Sequence, residues 1–464
     1  MKEQTDAVGI LGLGYMGLTT GLAFAAHGRM VFGFDINEQT RSFIEKGVTP
    51  YKEKGLGSLL RTQIRAGKFR LVGSVEELVQ SVSGIFVSLP TPSQQNGSID
   101  LGPIKAGLNQ LGKAIRQADG FRVVVVKSTV VPGTTEGVIE PLLRRLSHRQ
   151  QADLGVAANP EFLAEGTMVR DALSPDRLVL GISDNLSRRW LDRAYRGFRG
   201  KRFYLTPTEA ELTKYASNVF LALKVSYVNE ISRLTERLGV DIDRVMRAVG
   251  ADHRIGSSFL SAGPGFGGSC FDKDTRALIA SGRSLGINLR AAEAALAINN
   301  DQTNHVIDLI GSGMGGVRNK RVALLGLAFK AGTDDVRGSR AISIVRALIH
   351  RVEELRLHDP LASENFYKFL VSLRADMTKV RFCKSVRQAI EGADAAVVQT
   401  DWVGYKDWRP DWTRRMRSPL IIDLRRCVRV RPTSKLAIRV LRLGVGENDL
   451  SDDPCATGKV GGVG

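Results

Sequence analysis

The chain has 464 residues, 43% hydrophobic and 25% charged, enough apolar material for two or three cored domains and far from the composition of a disordered chain. Its four cysteines, Cys270, Cys383, Cys427 and Cys455, form no CxxC pair and have no histidines at zinc-ligand spacing, which points away from a disulfide framework and predicts no metal. The net charge of +18 invites phosphate-backbone binding, but the basic residues are scattered among acidic ones with no nucleic-acid-binding signature, so no nucleic-acid partner is expected.

In chain order, the apolar run from Val8 to Phe34 is interrupted by glycines and by His27 and Arg29. It reads as strand, turn, helix and strand instead of a membrane span, and no signal series precedes it, so no membrane anchor and a cytoplasmic location are expected. Within it, "GILGLGYMG" sets Gly12, Gly14 and Gly17 at GxGxxG spacing around Tyr15 and Met16, and the next strand ends at Asp35. In such a β–α–β unit the first glycine makes the turn, the second lets the backbone approach a pyrophosphate and the third allows close helix–strand packing. An acid at position 35 can hold ribose hydroxyls and would repel a 2′-phosphate, which predicts NAD in preference to NADP.

The strands "GIFVSLP", "RVVVVKST", "LGVAANP" and "DRLVLGI" follow, alternating with amphipathic helices as in a doubly wound parallel sheet. From Thr208 to about Leu309 strands vanish, and "ELTKYASNVFLALKVSYVNEISRLTERLG" spaces its apolar residues as one long helix. Strand–helix alternation resumes at "KRVALLGLAF", "ELRLHDP", "GADAAVVQTDW" and "PLIIDLRR". The expected fold is α/β, with two Rossmann-like doubly wound domains joined by a helical central domain with a long spine helix. The boundaries read as 1–200, 201–310 and 317–446, with a flexible tail over 447–464. A second apolar face on the spine predicts a homodimer through that helix.

Late in the helical region, "AGPGFGGSCFDKDTRAL" places a glycine-rich loop and Cys270 before a helix start, a setting that binds anions and stabilises a thiolate. Cys270 is either a nucleophile or a small buried hydrophobe after a tight turn. Three polar pairs stand at an i, i+4 interval that a helix would stack on one face: Glu161 and Glu165, Lys214 and Asn218, Cys270 and Asp274. Lys214 and Asn218 stand in an otherwise apolar segment, where a lysine is costly unless it meets a charge or a substrate.

The ordered series "GLGYMG", "PTP" at Pro90 and Thr91, "KSTVVPGTT", "NPEFLAEGTMVRDALSPDRLVLG", "AELTKYASNVFLALKVSYVNEI", "HRIGSSFLSAGPGFGGSCFDKD" and "LGLAFKAGTDDVRGSRAI" resembles the UDP-glucose/GDP-mannose dehydrogenase family from about residue 7 to 430. The resemblance implies NAD-dependent oxidation of a nucleotide sugar at C6 to the uronic acid, in two hydride transfers with Cys270 as nucleophile. It implies that Lys214 and Asn218 donate to the developing oxyanion, that Glu161 and Asp274 orient or deprotonate water, and that Thr129 holds the catalytic water and cofactor. Cofactor contacts extend to Glu165, Lys273 and Arg337. The nucleotide sugar falls to Glu161, Phe162, Leu163, Lys214, Asn218, Phe259, Gly263, Phe266, Gly267, Phe329, Lys330 and Arg425, with Arg254 resembling an arginine inserted by the partner subunit.

Asp272, Lys52 and Thr40 depart from residues common in the family, and none of them removes a catalytic group. The wording of "NPEFLAEG" and "SPDR" favours UDP-glucose; GDP-mannose or another nucleotide sugar is the alternative. A non-catalytic NAD- or nucleic-acid-binding protein is the competing class, and it would leave Glu161, Lys214 and Cys270 idle.

Overall fold

The computed structural model describes residues 7–430 and 438–446; the tail expected over 447–464, with Cys455, lies outside them. The chain divides into two compact units, one of residues up to Asn218 together with Lys273–Leu289, the other of Val219–Asp272 together with the chain from Arg290 onward.

The first unit is built on β1 (Val8–Leu11), β2 (Val31–Phe34), β3 (Phe69–Leu71), β4 (Gly84–Val87), β5 (Arg122–Val126), β6 (Leu154–Ala158), β7 (Arg177–Gly181) and β8 (Lys201–Leu205). They form one sheet in the order β3-β2-β1-β4-β5-β6-β7-β8. The strand order reverses beside β1, the switch point at which doubly wound sheets place ligands. β1, β4, β5 and β6 are buried along their whole length, which is why they read as uninterrupted apolar runs. One expectation is corrected: β6 and β7 pair antiparallel, through Ala158 and Gly181 alone. β7 then pairs parallel with β8, an exposed edge strand "KRFYL" whose charged and aromatic residues hide its period.

The second unit carries β9 (Arg321–Leu325), β10 (Glu354–His358), β11 (Val380–Phe382), β12 (Ala395–Val398), β13 (Asp407–Trp408), β14 (Leu420–Asp423), β15 (Arg429–Val430) and β16 (Arg439–Arg442). Six of these form an all-parallel sheet in the order β11-β10-β9-β12-β14-β16, while β13 and β15 pair separately. The strands β3, β8, β11, β13, β15 and β16, which no apolar run marks, are short or carry charged residues.

Between the two sheets in sequence, four helices occupy the predicted helical stretch: Pro207–Leu238, Ile242–Gly250, Phe271–Ser284 and Arg290–Gly313. The first, the spine helix, is a single run of 32 residues. On its part within the second unit, Phe220, Tyr227, Leu234 and Leu238 are exposed by 61%, 48%, 53% and 66%. Intervals of seven, seven and four residues keep all four on one stripe of the helix. Among the described residues no helix is long and apolar enough to cross a membrane.

Candidate active site

In the first unit, the glycine-rich turn leaves β1 and feeds the helix Tyr15–Ala26, whose N-cap is Gly14 and whose first turn holds no acidic residue. Gly12 has φ +92°, and a Cβ there would lie 2.4 Å from the Ser88 carbonyl; one on Gly17 would lie 1.9 Å from the Gly12 carbonyl. A Cβ on Gly14 would meet nothing within 4 Å. The first and third glycines are thus required by the protein itself, whereas the second leaves space beside a helix N-terminus, where backbone N–H groups and the dipole favour an anion.

Asp35, just after β2, accepts from Leu13 N at 2.7 Å and Asn37 N at 2.8 Å, which ties its carboxylate to the turn. The Tyr15 ring packs against that of Tyr51, tilted, with centres 4.3 Å apart, and burial followed by the charge of Asp35 pushes the Tyr51 phenol up to about 12. Met16 is half-buried, Pro90 and Thr91 follow β4, and Thr129 follows β5. A turn with an open glycine, a helix N-terminus and a ribose-competent acid, all at the carboxyl ends of the central strands, fits a dinucleotide.

Glu161 follows β6, and its neighbours Phe162, Leu163 and Glu165 stand on non-helical backbone. The expected helical stacking of Glu161 on Glu165 is therefore corrected. Pro160 precedes the segment, and the Glu161 carboxylate turns back to accept from Leu163 N at 2.6 Å. Its other oxygen accepts from Lys214 Nζ at 3.0 Å, and both side chains are less than a tenth exposed. Lys214 Nζ also stands 5.5 Å from the centre of the Phe162 ring, and Arg177 lies over the same ring at 4.2 Å.

Lys214 and Asn218 do stack on one face of the spine helix. Asn218 Nδ2 donates to Asp274 at 2.6 Å, and Lys273 Nζ donates to the other oxygen of that carboxylate at 2.5 Å. Lys214, Asn218 and Asp274 are all buried. The first unit thus brings together a buried carboxylate–ammonium pair and a buried carboxylate–amide pair on adjacent turns.

Three neighbours of this group belong to no pattern that marks them in the sequence. Lys127, just after β5, donates to Asn159 at 2.9 Å, and burial, which the nearby Glu161 charge opposes and the Lys214 charge reinforces, leaves its pKa lowered to about 8. Its one signal is a lysine closing the otherwise apolar "VVVV". Glu211 shares a crevice with Ser128, Thr129, Pro160 and Lys214. The Tyr215 hydroxyl is buried without a hydrogen-bond partner among the described residues.

In the second unit, Cys270 is exposed, so the reading of it as a buried hydrophobe fails. It stands immediately before the helix Phe271–Ser284, with Ser269 Oγ 3.6 Å from its sulfur. The preceding loop is held by side chains from several elements. Asn229 accepts from Gly263 N at 2.8 Å and Gln302 donates to Gly263 O at 2.9 Å. Asn299 accepts from Phe266 N at 2.7 Å and donates to Phe266 O at 3.2 Å, while Arg340 adds two bonds to the same carbonyl.

The loop abuts the predicted substrate residues of the C-terminal sheet. A Cβ on Gly267 would come within 3.3 Å of the Phe329 side chain, and one on Gly263 within 2.9 Å of the Arg425 guanidinium. Arg425 donates to Gln399 O at 2.8 Å, and burial lowers its pKa. Lys330 Nζ lies 5.6 Å from the Phe329 ring, and Phe259 and Phe266 flank Phe271 at 6.1 and 5.9 Å. Arg254 pairs with Asp252 at 2.6 Å, and Arg337 pairs with Asp335 at 2.6 Å while its carbonyl accepts from Gly268 N of the loop at 3.1 Å.

Family models matched the chain in three segments. Residues 6–199 match the UDP-glucose/GDP-mannose dehydrogenase family, NAD binding domain; 208–301 match its central domain; 323–430 match its UDP binding domain. The chain is 39% identical over 425 residues to the UDP-glucose 6-dehydrogenase AglM of Haloferax volcanii, covering 90% of this chain and 96% of the relative. It is 37% identical over 422 residues to the UDP-glucose 6-dehydrogenase of Pseudomonas aeruginosa, covering 89% and 92%. Its fold matches a UDP-glucose dehydrogenase from Pyrobaculum islandicum with a TM-score of 0.87 at 35% identity, over 96% of this chain and 99% of the other.

Proposed function

The chain belongs to the UDP-glucose/GDP-mannose dehydrogenase family, and from that premise we propose that it oxidises UDP-glucose at C6 to the uronic acid with two equivalents of NAD. The observation that carries the assignment of roles is the pair of buried contacts on the spine helix, Lys214 to Glu161 and Asn218 to Asp274. Each joins a donor to a carboxylate in a setting where charge is felt strongly.

NAD, when bound, would supply the hydride acceptor for each of the two oxidations. The protein's own residues do the rest. In the first oxidation the C6 hydroxyl loses its proton to a carboxylate as the hydride departs, giving the aldehyde. The Cys270 thiolate then adds to the aldehyde carbon, and Lys214 and Asn218 stabilise the oxyanion of the resulting thiohemiacetal. Loss of the second hydride leaves a thioester. Water, oriented by Glu161, Asp274 and Thr129, gives up a proton to a carboxylate as it attacks the thioester carbonyl, and the C–S bond breaks to release the uronate and the Cys270 thiolate.

The cofactor is assigned to Gly12, Gly14, Tyr15, Met16, Gly17, Asp35, Pro90, Thr91, Thr129, Glu165, Lys273 and Arg337. The substrate is assigned to Phe162, Leu163, Phe259, Gly263, Phe266, Gly267, Phe329, Lys330 and Arg425, beside the catalytic group. Residues 1–200, 201–310 and 317–446 act as the NAD-binding, central and nucleotide-sugar-binding domains. The protein works as a cytoplasmic homodimer, joined by the apolar stripe of the spine helix, with Arg254 serving the partner's site. That arginine is exposed and therefore available for such a reach.

The test is stoichiometric. Purified protein should yield two NADH per UDP-glucose consumed, and the Cys270→Ser variant should yield no acid while still binding NAD, because a hydroxyl is a much weaker nucleophile than a thiolate at neutral pH. One NADH per sugar, or near-normal turnover by the serine variant, would refute covalent catalysis.

A further inference from the structure

A second cluster of cationic side chains stands apart from the substrate residues, at the edge of the C-terminal sheet. β10 and β11 pair in parallel with Arg356 directly opposite Arg381. Register partners on neighbouring parallel strands project to the same face, so two arginine side chains leave the sheet side by side, an arrangement that is unfavourable without a counter-charge. Arg387 and Arg415 join them around a cavity of about 310 Å³. Among the described residues the one carboxylate in its lining is that of Glu391, and the remaining lining residues are a serine and a glutamine.

The existing ion pairs leave this charge incompletely matched. Arg356 is fixed by Glu354 at 2.8 Å and by the Glu391 carbonyl. Arg387 pairs with Asp411 at 3.1 Å and Arg415 with Glu391 at 2.7 Å, but in both pairs the side chains are more than a third exposed, where such contacts exchange readily with other anions. Arg381 is exposed and has no acidic partner among the described residues.

The cavity shares no residue with the proposed substrate site: its lining comes from β10, β11, the helix Val386–Ile390 with its flanks and the turn before β14, whereas Lys330 and Arg425 follow β9 and β14.

We propose that this cavity binds a phosphoryl polyanion of diphosphate size at a site separate from the substrate's. Planar guanidinium forks match phosphate oxygens in pairs. The volume is ample for a diphosphate. No aromatic or aliphatic side chain is present in the lining to grip a base or a sugar, so recognition rests on the anion alone. The diphosphate could come free or as part of a nucleotide.

Calorimetric titration of the full chain at constant ionic strength separates these sources, first with UDP and then with inorganic pyrophosphate added to the UDP-saturated protein. The variant is Arg381→Gln with Arg387→Gln, which alters only exposed side chains and should leave NADH production without added anion unchanged. Two UDP per chain, falling to one in the variant, would support the site with a nucleotide as its source. One UDP followed by one pyrophosphate, the latter weakened roughly tenfold or more in the variant, would support it with free diphosphate. One UDP and no further pyrophosphate, or a second site that the variant retains at full affinity, would overturn the proposal.

Discussion

Glu211 stands three residues before Lys214 on the spine helix and is buried, yet its carboxylate accepts from Gly133 N at 2.7 Å, Thr135 N at 2.9 Å and Thr135 Oγ1 at 2.5 Å. Burial outweighs those three donors and raises its pKa from an ordinary 4.5 to about 7. The native state therefore holds a proton that the unfolded chain has already released. This contribution to stability is complete below about pH 4.5 and is lost as pH rises toward 7. Glu211→Gln should flatten that decline by on the order of 2 kcal/mol, visible when the denaturant midpoints of the two proteins are compared from pH 4 to 8. Parallel profiles would show that the carboxyl titrates alike in the folded and unfolded chain and is not held protonated by burial. Glu161, Lys214 and Asn218 are legible in the sequence through their motifs, and the structure joins them to their partners. Glu211 and Lys127 are not, because their character comes from burial, and burial is not written in a residue's own letter.

At the level of elements, buried parallel strands are legible because an apolar run of four or five residues between two amphipathic helices fits little else. β8 and β11 are not, because an edge strand mixes charge with aromatics and loses its period. The antiparallel pairing of β6 and β7 escapes for a different reason: direction is set by which edge the chain returns to, and the letters on the strand are the same either way. The spine helix announces itself by length, and its exposed stripe carries a measurable consequence. Phe220→Asp with Leu234→Asp places two charges in the proposed subunit contact while disturbing no buried residue. Light scattering should give a dimer for the wild type and a monomer for the variant, with unaltered helical content. A variant that remains dimeric would move the interface elsewhere.

For the whole molecule, the residues assigned to the proposed chemistry, Glu161, Lys214, Asn218, Cys270, Asp274 and Arg425, are spread over more than half of the chain. Only the ordered motifs reveal that set in advance, since no local pattern links residues so far apart in the chain. If Arg254 serves the opposite subunit, Arg254→Ala and Cys270→Ala homodimers should each be inactive. Reassorting them should form heterodimers with one complete site, restoring at most about half the activity per dimer by the symmetry of an isologous pair. Full activity of Arg254→Ala alone, or no recovery after verified exchange, would reject the shared site. The loop before Cys270 bears on how any such activity responds to its surroundings. Asn229, Asn299 and Gln302 that grip it carry no ionisable group, and Arg340, lowered by burial to about 10, stays charged below that. From about pH 5 to 9 nothing in that grip gains or loses a proton, so a turnover profile recorded there reports the reacting groups themselves and not a collapsing scaffold. Acid should silence this enzyme reversibly, whereas prolonged heat, which hydrolyses side-chain amides, should age it one clasp at a time.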